Sequence, residues 1–449
     1  MRDFATSESP AVQAQLDRLA ALSLPEGRIG IEAIRALLTR LDNPHHRLPP
    51  VFHVAGTNGK GSTCAFLRAM LEAQGLTVHA TTSPHLALYN ERIRIAGQLI
   101  EDDDLAELLE EVLDAAEGLQ LSFFETTIAA SFLAFSRHPA DACVIEVGLG
   151  GRFDATNVLE RPAVCGIAAL GIDHERFLLA PEEGTPEEPI ARIAFEKASI
   201  AKTGVPLVTQ AYPAVASKAI IDVAMNVGAR TAIRDLDWSA QVGDEILYRD
   251  AQGGLSLPLP SLAGAHQADN AALAVAMLRH QSELHVSPDA IANGIRSARW
   301  PARLQQLGSG PLTDLMPSAE IILDGGHNPD AAHALAEALA DRLVLNVIMG
   351  QLRNRNVEKF LRPLAPQIER LWAVPVPGHD HHDPKDVCWT AQDDLGIQRA
   401  NPANNVQQAL ERLVTQLEKD GDTRPQTVLI CGTLYLAGEV LRLNRELPD

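Results

Sequence analysis

Apolar residues recur at helical spacing in the first fifty positions, at Val12, Leu16, Leu19 and Leu22 and again at Ile31, Ile34, Leu37, Leu38 and Leu41. The period predicts two helices joined by a turn over 24–30. From 51 onward short apolar runs alternate with helical stretches. Runs at 51–55, 76–81, 142–147, 164–172 and 205–210 read as strands, and 65–71, 101–118, 128–136, 193–200 and 271–279 as helices. A hairpin-like pair is expected around 251–254. Past 300 the alternation tightens, with strands at 320–324, 343–349, 371–376 and 427–431 and helices at 329–342, 357–368 and 403–417. Such alternation predicts an α/β protein with mostly parallel sheets. The turn-rich segment 297–303 divides it into domains 1–297 and 298–449.

The run 51–55 passes through Gly56-Thr57-Asn58-Gly59-Lys60-Gly61-Ser62-Thr63 into a helix. Strand, glycine loop and helix together predict a phosphate site. Glycines let backbone N–H groups converge on a polyanion and the helix adds its positive end. Lys60 can then reach terminal phosphates while Ser62 or Thr63 faces a metal ion. The common phosphate-loop spacing would put glycine at 54 and a hydroxyl at 61, where this chain has Val54 and Gly61. An ordinary glycine-rich turn is the alternative.

Other chemistry collects where strands end. Ser83, in Thr82-Ser83-Pro84-His85-Leu86, sits at a C-terminal strand edge, where open α/β sheets place ligands, or simply caps its turn. Glu146 closes a buried run, and a carboxylate there is costly without a cation or metal. The next loop carries Arg152 and Asp154, and Asp173-His174 ends the following run. His174 there is a ligand or a cap. Lys197 follows Glu196 in a helix, where a surface lysine is the plain reading. Arg92 and Arg94 meet a carboxylate or line a solvated edge, and the acidic, proline-containing 181–189 reads as a surface insertion. His379-Asp380-His381-His382 is a metal cluster or an ordinary loop; no distant ligand set accompanies it.

The string Gly56 to Thr63 resembles the nucleotide loop of the folylpolyglutamate synthetase and dihydrofolate synthetase family of the Mur ligase superfamily. The resemblance continues in order to Tyr435. It takes in S-P-H-L at 83–86, N-E-R-I-R at 90–94, E-V-G-L-G-G-R-F-D-A-T-N at 146–157, E-K-A-S-I at 196–200 and H-Q-A-D-N at 266–270. At 323–328 L-D-G-G-H-N has glycine for the family's alanine, and at 432–435 G-T-L-Y has threonine where serine is expected. It implies an N-terminal phosphate-loop ATPase domain, a smaller C-terminal Rossmann-like domain and an active site in the cleft between them.

Carried over residue by residue, the resemblance implies a nucleotide held by Gly56, Thr57, Asn58, Gly59, Lys60, Gly61, Ser62, Thr63, Asn270, Arg303 and Asp324. Mg2+ would fall to Ser62, Ser83, Glu146 and His174, and substrates to Phe124, Arg152, Asp154, His327, Thr433 and Tyr435. Lys60, Lys197, Asp324 and His327 would be catalytic, with Phe124 stacked on the pterin and the helices before 50 near it. The matching lysine is carbamylated in several members, which needs a neutral amine and so an environment that lowers its pKa. The implied cofactors are ATP and Mg2+, with a monovalent cation besides. The implied activity is ATP-dependent ligation of L-glutamate to dihydropteroate and to reduced folates through an acyl phosphate, as in bifunctional bacterial members. A single-function folylpolyglutamate synthetase, a ligase acting on a UDP-sugar peptide, and a phosphate-loop ATPase switch are the alternatives.

Composition narrows the partners. In 449 residues, 46% hydrophobic, there is room for two or three domains. A formal charge of −20 argues against nucleic acid or an anionic membrane, so cations must gather locally around any phosphate. Five widely spaced cysteines, mostly in apolar runs, read as buried thiols of a reducing compartment. With no export signal and no apolar run of membrane-spanning length, a cytoplasmic protein is expected, and the resemblance implies a monomer.

Overall fold

The computed structural model describes residues 5–22 and 30–448, so the turn expected over 24–30 falls almost wholly outside the described residues. The chain forms two compact units. The first runs up to His85 and takes in Tyr89–Ser261 and Gln267–Arg299; the second holds Leu86–Leu88, Leu262–His266 and the chain from Trp300.

The first unit is built on an eight-stranded sheet of β1 (Val51–Ala55), β2 (Val78–Thr81), β3 (Arg94–Ile95), β4 (Gln98–Leu99), β5 (Ala142–Glu146), β6 (Val164–Ile167), β7 (Pro206–Thr209) and β8 (Arg230–Ile233). The spatial order is β4-β3-β2-β5-β1-β6-β7-β8. From β2 through β8 all neighbours run parallel, and only β3 and β4 at one edge are antiparallel. β1, β2, β5, β6 and β7 are buried along their whole length, which is why they read as unbroken apolar runs rather than as alternation.

Helices Pro10–Ala20, Glu32–Arg40, Asp102–Ala115 and Phe123–Arg137 bury one core, and Pro189–Ala198 and Ala214–Val227 another. Helix Pro288–Ser297 crosses Lys60–Ala73 so closely that a Cβ on Gly294 would enter the Met70 backbone.

Three strands of this unit form a separate antiparallel sheet, β9 (Trp238–Val242), β10 (Ile246–Asp250) and β11 (Gly253–Leu257), with β10 in the middle. The expected hairpin at 251–254 is its second turn, and β9 enlarges the pair to three.

The second unit carries a six-stranded sheet ordered β12-β13-β17-β14-β15-β16, from β12 (Gln305–Gln306), β13 (Glu320–Leu323), β14 (Leu345–Met349), β15 (Ile368–Ala373), β16 (Ala400–Pro402) and β17 (Thr427–Cys431). Only the β12 pairing is antiparallel. Helices Pro329–Ala338, Val357–Leu361, Val406–Asp420 and Leu434–Asn444 are among those that connect or follow these strands.

The α/β class with mostly parallel sheets holds, and the differences lie in element ends. The strand expected over 164–172 stops at Ile167, because the chain after it turns over the phosphate loop: Thr57 N donates to Ala169 O (2.8 Å) and Thr57 Oγ1 to Gly171 O (2.9 Å). The helix expected over 357–368 breaks after Leu361, and the strand expected over 371–376 begins earlier, at Ile368. Helix Pro384–Trp389 and the final helix Leu434–Asn444 were not expected. No described helix is long and apolar enough to cross a membrane.

Candidate active site

The phosphate loop begins as β1 ends. Gly59 adopts φ 83° at the N-cap of helix Lys60–Ala73, a left-handed conformation that favours glycine, and a Cβ there would run into the Asn270 amide. A Cβ on Gly56 would come within 2.9 Å of Ala168 Cβ. The two glycines let the backbone turn tightly into the head of a fourteen-residue helix, where first-turn N–H groups and the helix dipole favour an anion.

Gly61, Ser62 and Thr63 form the buried first turn, and Thr63 Oγ1 is buried with no protein hydrogen-bond partner. Asn270 lies in helix His266–His280 and donates from Nδ2 to Gln267 Oε1 (3.1 Å); the buried Gln267 Nε2 lacks a protein partner.

β5 and β6 flank β1, so the loops after them flank the phosphate loop. Glu146 pairs in register with Val54 and is buried. One of its carboxylate oxygens accepts from Ser83 N (3.1 Å), and the other lies 4.0 Å from Lys60 Nζ. Ser83, Glu146 and Lys60 are thus brought together, which gives the buried carboxylate its cation. His174, past β6, occupies the N-cap position of helix Glu175–Leu178 in a left-handed conformation (φ 53°) without a side-chain capping bond, its Nε2 3.9 Å from the buried Asp173 carboxylate.

Lys197 is not a surface lysine. It is 4% exposed and donates to Gly56 O at 2.9 Å. Burial, with the Lys60 ammonium adding to it, lowers its amine to about 7 against the opposing pull of Asp173, Asp154 and Glu196. The neutral amine is therefore accessible near neutral pH.

Asp154 is buried and organises its own loop, accepting from Leu149 N (2.8 Å), Thr156 N (3.0 Å) and Thr156 Oγ1 (2.5 Å). Burial raises its pKa, and these hydrogen bonds oppose the rise. Thr156 Oγ1 also meets His53 Nε2 (2.8 Å), whose ring is held neutral by burial, its pKa down to about 3. Phe124 sits under this loop, and the space a Cβ on Gly148 would take is filled by its ring. It stands in the first turn of Phe123–Arg137, fixed by a capping box between Ser122 and Glu125.

Arg152 is held by two carboxylates. Its guanidinium pairs with Glu196 (2.8 Å) and with Glu182 (2.5 Å), and Arg192 pairs with the same two carboxylates (3.1 and 3.0 Å). Segment 181–189 lies at the surface as expected, with six of its nine residues exposed, while Glu182 turns inward to meet both arginines. Arg92 does not line a solvated edge: it is 1% exposed, donates from Nε to His85 Nδ1 (2.8 Å) and lies over the Tyr89 and Phe123 rings. Sequence reading missed Glu182 because its partner Arg152 lies 30 residues away, and passed over Arg192 although its pair with Glu196 has the i,i+4 spacing of a helix.

In the second unit Asp324, at the end of β13, accepts from Leu304 N (2.8 Å) and Gly326 N (2.7 Å). It thereby pins the two segments that carry Arg303 and His327. Arg303 lies between Ala302 (φ 54°) and Leu304 (φ 46°), donates to Ala302 O (2.8 Å), and would be 3.0 Å from a Cβ on Gly325. His327 Nδ1 donates to Gly325 O (3.0 Å).

Thr433 caps helix Leu434–Asn444, and Gly432 N donates to Gly326 O (3.1 Å), tying that cap to the same loop. Tyr435 stacks on His379 with centroids 3.8 Å apart. His381 Nδ1 meets His379 O and His382 Nε2 meets Arg355 O, so the three histidines take separate partners. Among the described residues no group of three or more His, Cys, Asp or Glu is placed to hold a metal.

The residues present fit a nucleotide and a hard divalent cation. The glycine cradle leaves room only for backbone, Thr63 Oγ1 is buried with no protein partner, and the Ser62 and Ser83 hydroxyls and the Glu146 carboxylate are oxygen donors of the kind a hard divalent cation takes.

Comparison with known proteins agrees. Residues 314–443 match the family model described as dihydrofolate synthetase, C-terminal domain. The chain is 32% identical over 421 residues to the dihydrofolate synthase/folylpolyglutamate synthase of Escherichia coli, covering 92% of this chain and 91% of that protein. It spans only 49% of a longer relative from Halobacterium salinarum, named as a probable bifunctional folylpolyglutamate synthase/dihydropteroate synthase, at 32% identity and 91% of this chain.

Among solved structures it is similar to E. coli FolC in complex with DHPP and ADP, with TM-score 0.83, 30% identity and 97% of each chain covered. It is also similar to the bifunctional folylpolyglutamate synthase/dihydrofolate synthase of Yersinia pestis complexed with AMPPNP and Mn ion, with TM-score 0.81, 29% identity and 98% and 99% covered. The chain belongs to the folylpolyglutamate synthase/dihydrofolate synthase family of ATP-dependent ligases.

Proposed function

We propose that this protein joins L-glutamate to the carboxylate of dihydropteroate and of reduced folates. The observation that carries the reading is the head of helix Lys60–Ala73, where Lys60 stands beside the buried Glu146 and Lys197 holds the Gly56 carbonyl. The acceptor carboxylate attacks the γ-phosphate of ATP, giving an acyl phosphate and ADP. The glutamate amine then displaces phosphate and loses its proton, leaving an amide.

No protein nucleophile is required, so catalysis rests on positioning and charge neutralisation. We assign the nucleotide phosphates to the loop Gly56 to Thr63, with Asn270 beside it, and the acceptor to Phe124, Arg152 and Asp154. Arg303, Asp324 and His327 are assigned to the nucleotide and the amino acid, and Thr433 and Tyr435 to the amino acid. Ser62, Ser83, Glu146 and His174 would hold Mg2+, which when bound screens the phosphate charges; a monovalent cation is part of the same reading. A cytoplasmic monomer is proposed, the five buried free thiols suiting a reducing compartment.

The test is phosphate release from Mg-ATP with L-glutamate and either dihydropteroate, tetrahydrofolate or no acceptor, followed by mass spectrometry of the products. Gain of one glutamate on both acceptors is expected. ATP turnover that ignores both would overturn the reading in favour of a switch ATPase.

A further inference from the structure

The two arginines and two glutamates around Arg152 form a closed ring in which each arginine pairs with both carboxylates, at 2.5 to 3.1 Å. Three separate segments meet in it. Arg152 comes from the loop after β5, Glu182 from the acidic strap between His174 and helix Pro189–Ala198, and Arg192 and Glu196 from that helix. Arg192 and Glu196 are 6% and 5% exposed at the side chain, and Arg152 and Glu182 19% and 22%. The ring has no net charge. Buried this far, arginines left without one carboxylate would be costly.

The strap is shaped to deliver Glu182. Thr185 Oγ1 donates to Glu182 O (2.6 Å), folding the segment back on itself. Glu188 accepts from Ala191 N (2.7 Å) and caps the helix, while Arg192 Nε donates to Leu178 O (3.1 Å). Strap and helix thus grip the loop between them. Gly150 has its Cβ position 2.9 Å from Leu178 Cδ2, and Gly151 has its own 2.6 Å from Glu196 O. Arg152 N donates to Glu196 O at 2.9 Å.

What the ring holds is the loop that the proposed function gives to the acceptor. Gly148 lies against the Phe124 ring, and Asp154 closes the far end of the same loop. We infer that Glu182 is a positioning residue for the pteroyl acceptor, fixing loop 148–154 through Arg152 while touching no substrate itself. A carboxylate at 182 makes the ring neutral and rigid; without it Arg152 keeps one carboxylate partner beside the Phe153 and Phe195 rings, and the loop loses its outer clamp.

This inference rests on the proposed ligase activity, so the experiment first assays the unaltered protein with dihydropteroate, L-glutamate and Mg-ATP. E182Q keeps the size and removes the charge. The expected result is an acceptor KM raised about fivefold or more, with KM for Mg-ATP and L-glutamate within about twofold, and partial recovery in E182D. A strap that matters only for folding would lower the melting temperature and leave all three KM values in place; that result overturns the inference. If E182Q does not fold, T185A loosens the strap without removing charge, and the same split in KM decides. Failure of the unaltered protein to ligate glutamate would instead overturn the proposed function.

Discussion

Lys197 Nζ donates to the carbonyl of Gly56 at 2.9 Å, so a helix that begins at Pro189 is fastened to the first residue of the phosphate loop. The bond is buried, and the amine that makes it sits between Lys60 and three carboxylates. Below about pH 7 the folded protein carries a buried ammonium at full cost, on the order of several kcal/mol at about 1.4 per pKa unit. Between about 7 and the ordinary value of 10.5 the unfolded chain binds the extra proton, so this group makes stability rise with pH. Lys197→Met should flatten that rise. Urea midpoints of both proteins at pH 7 and pH 9 test it; equal pH dependence would sink the idea.

Lys60 stands at the first position of the helix that opens at the phosphate loop. Lys60→Ala is expected to lower turnover by roughly a hundredfold or more, since a lost preorganised charge costs about 3 to 4 kcal/mol at a reacting phosphoryl group. Steady-state phosphate release measures it, and unchanged turnover would remove this loop from the chemistry.

Glu146 holds two neighbours in place through separate oxygens, Ser83 N and Lys60 Nζ. Glu146→Gln keeps a hydrogen-bond acceptor but loses the charge that balances Lys60. The Mg2+ concentration for half-maximal activity should rise about tenfold or more. A titration of activity against Mg2+ that overlays the parent curve would show that Glu146 serves Lys60 alone.

The phosphate loop was legible because its signal is local: an apolar run, glycines, a lysine and a helix follow one another without interruption from Val51 to Ala73. The buried parallel strands were legible for the same reason, each being an apolar run with turn residues at its end. Element ends were not. The tail of the run at 164–172 is apolar enough for a strand, yet Ala169 and Gly171 spend their carbonyls on Thr57. Helix Leu434–Asn444 was missed although Thr433 is a good cap and Leu436, Val440 and Leu441 keep helical spacing. Glu182 could not be read at all. Its partners Arg152 and Arg192 lie 30 residues before and 10 after it, and nothing in an acidic loop says which glutamate turns inward.

Ser122 caps helix Phe123–Arg137 in a reciprocal pair with Glu125, and the helix carries Phe124 in its first turn. Ser122→Ala should cost about 1 kcal/mol, seen as a lower urea midpoint at unchanged slope. Loosening that turn should also raise the acceptor KM, because the Phe124 ring fills the space beside Gly148. A stability loss with unchanged KM would place the Phe124 ring outside the acceptor site.

Asp324 joins two segments in the second unit as Glu146 does in the first, here through two backbone N–H groups. Its two oxygens accept from Leu304 N and Gly326 N, closing a path that runs through Arg303 on one side and toward His327 on the other. Ala302 and Leu304 both hold left-handed backbone, each at a cost of about 1 kcal/mol or more, and the carboxylate is one of the contacts that keeps them there. Asp324→Asn replaces one acceptor oxygen by a donor facing an N–H, so one of the two bonds must fail. Arg303 then loses its fixed backbone while remaining in the chain. The expected outcome is a fall in kcat of about tenfold or more together with weaker binding of ATP, since Arg303 and Asp324 are both assigned to the nucleotide. Asp324→Glu should not restore turnover, because an added methylene cannot keep both short bonds. Equal kcat in Asp324→Asn and the parent would show that neither Arg303 nor His327 depends on this clamp.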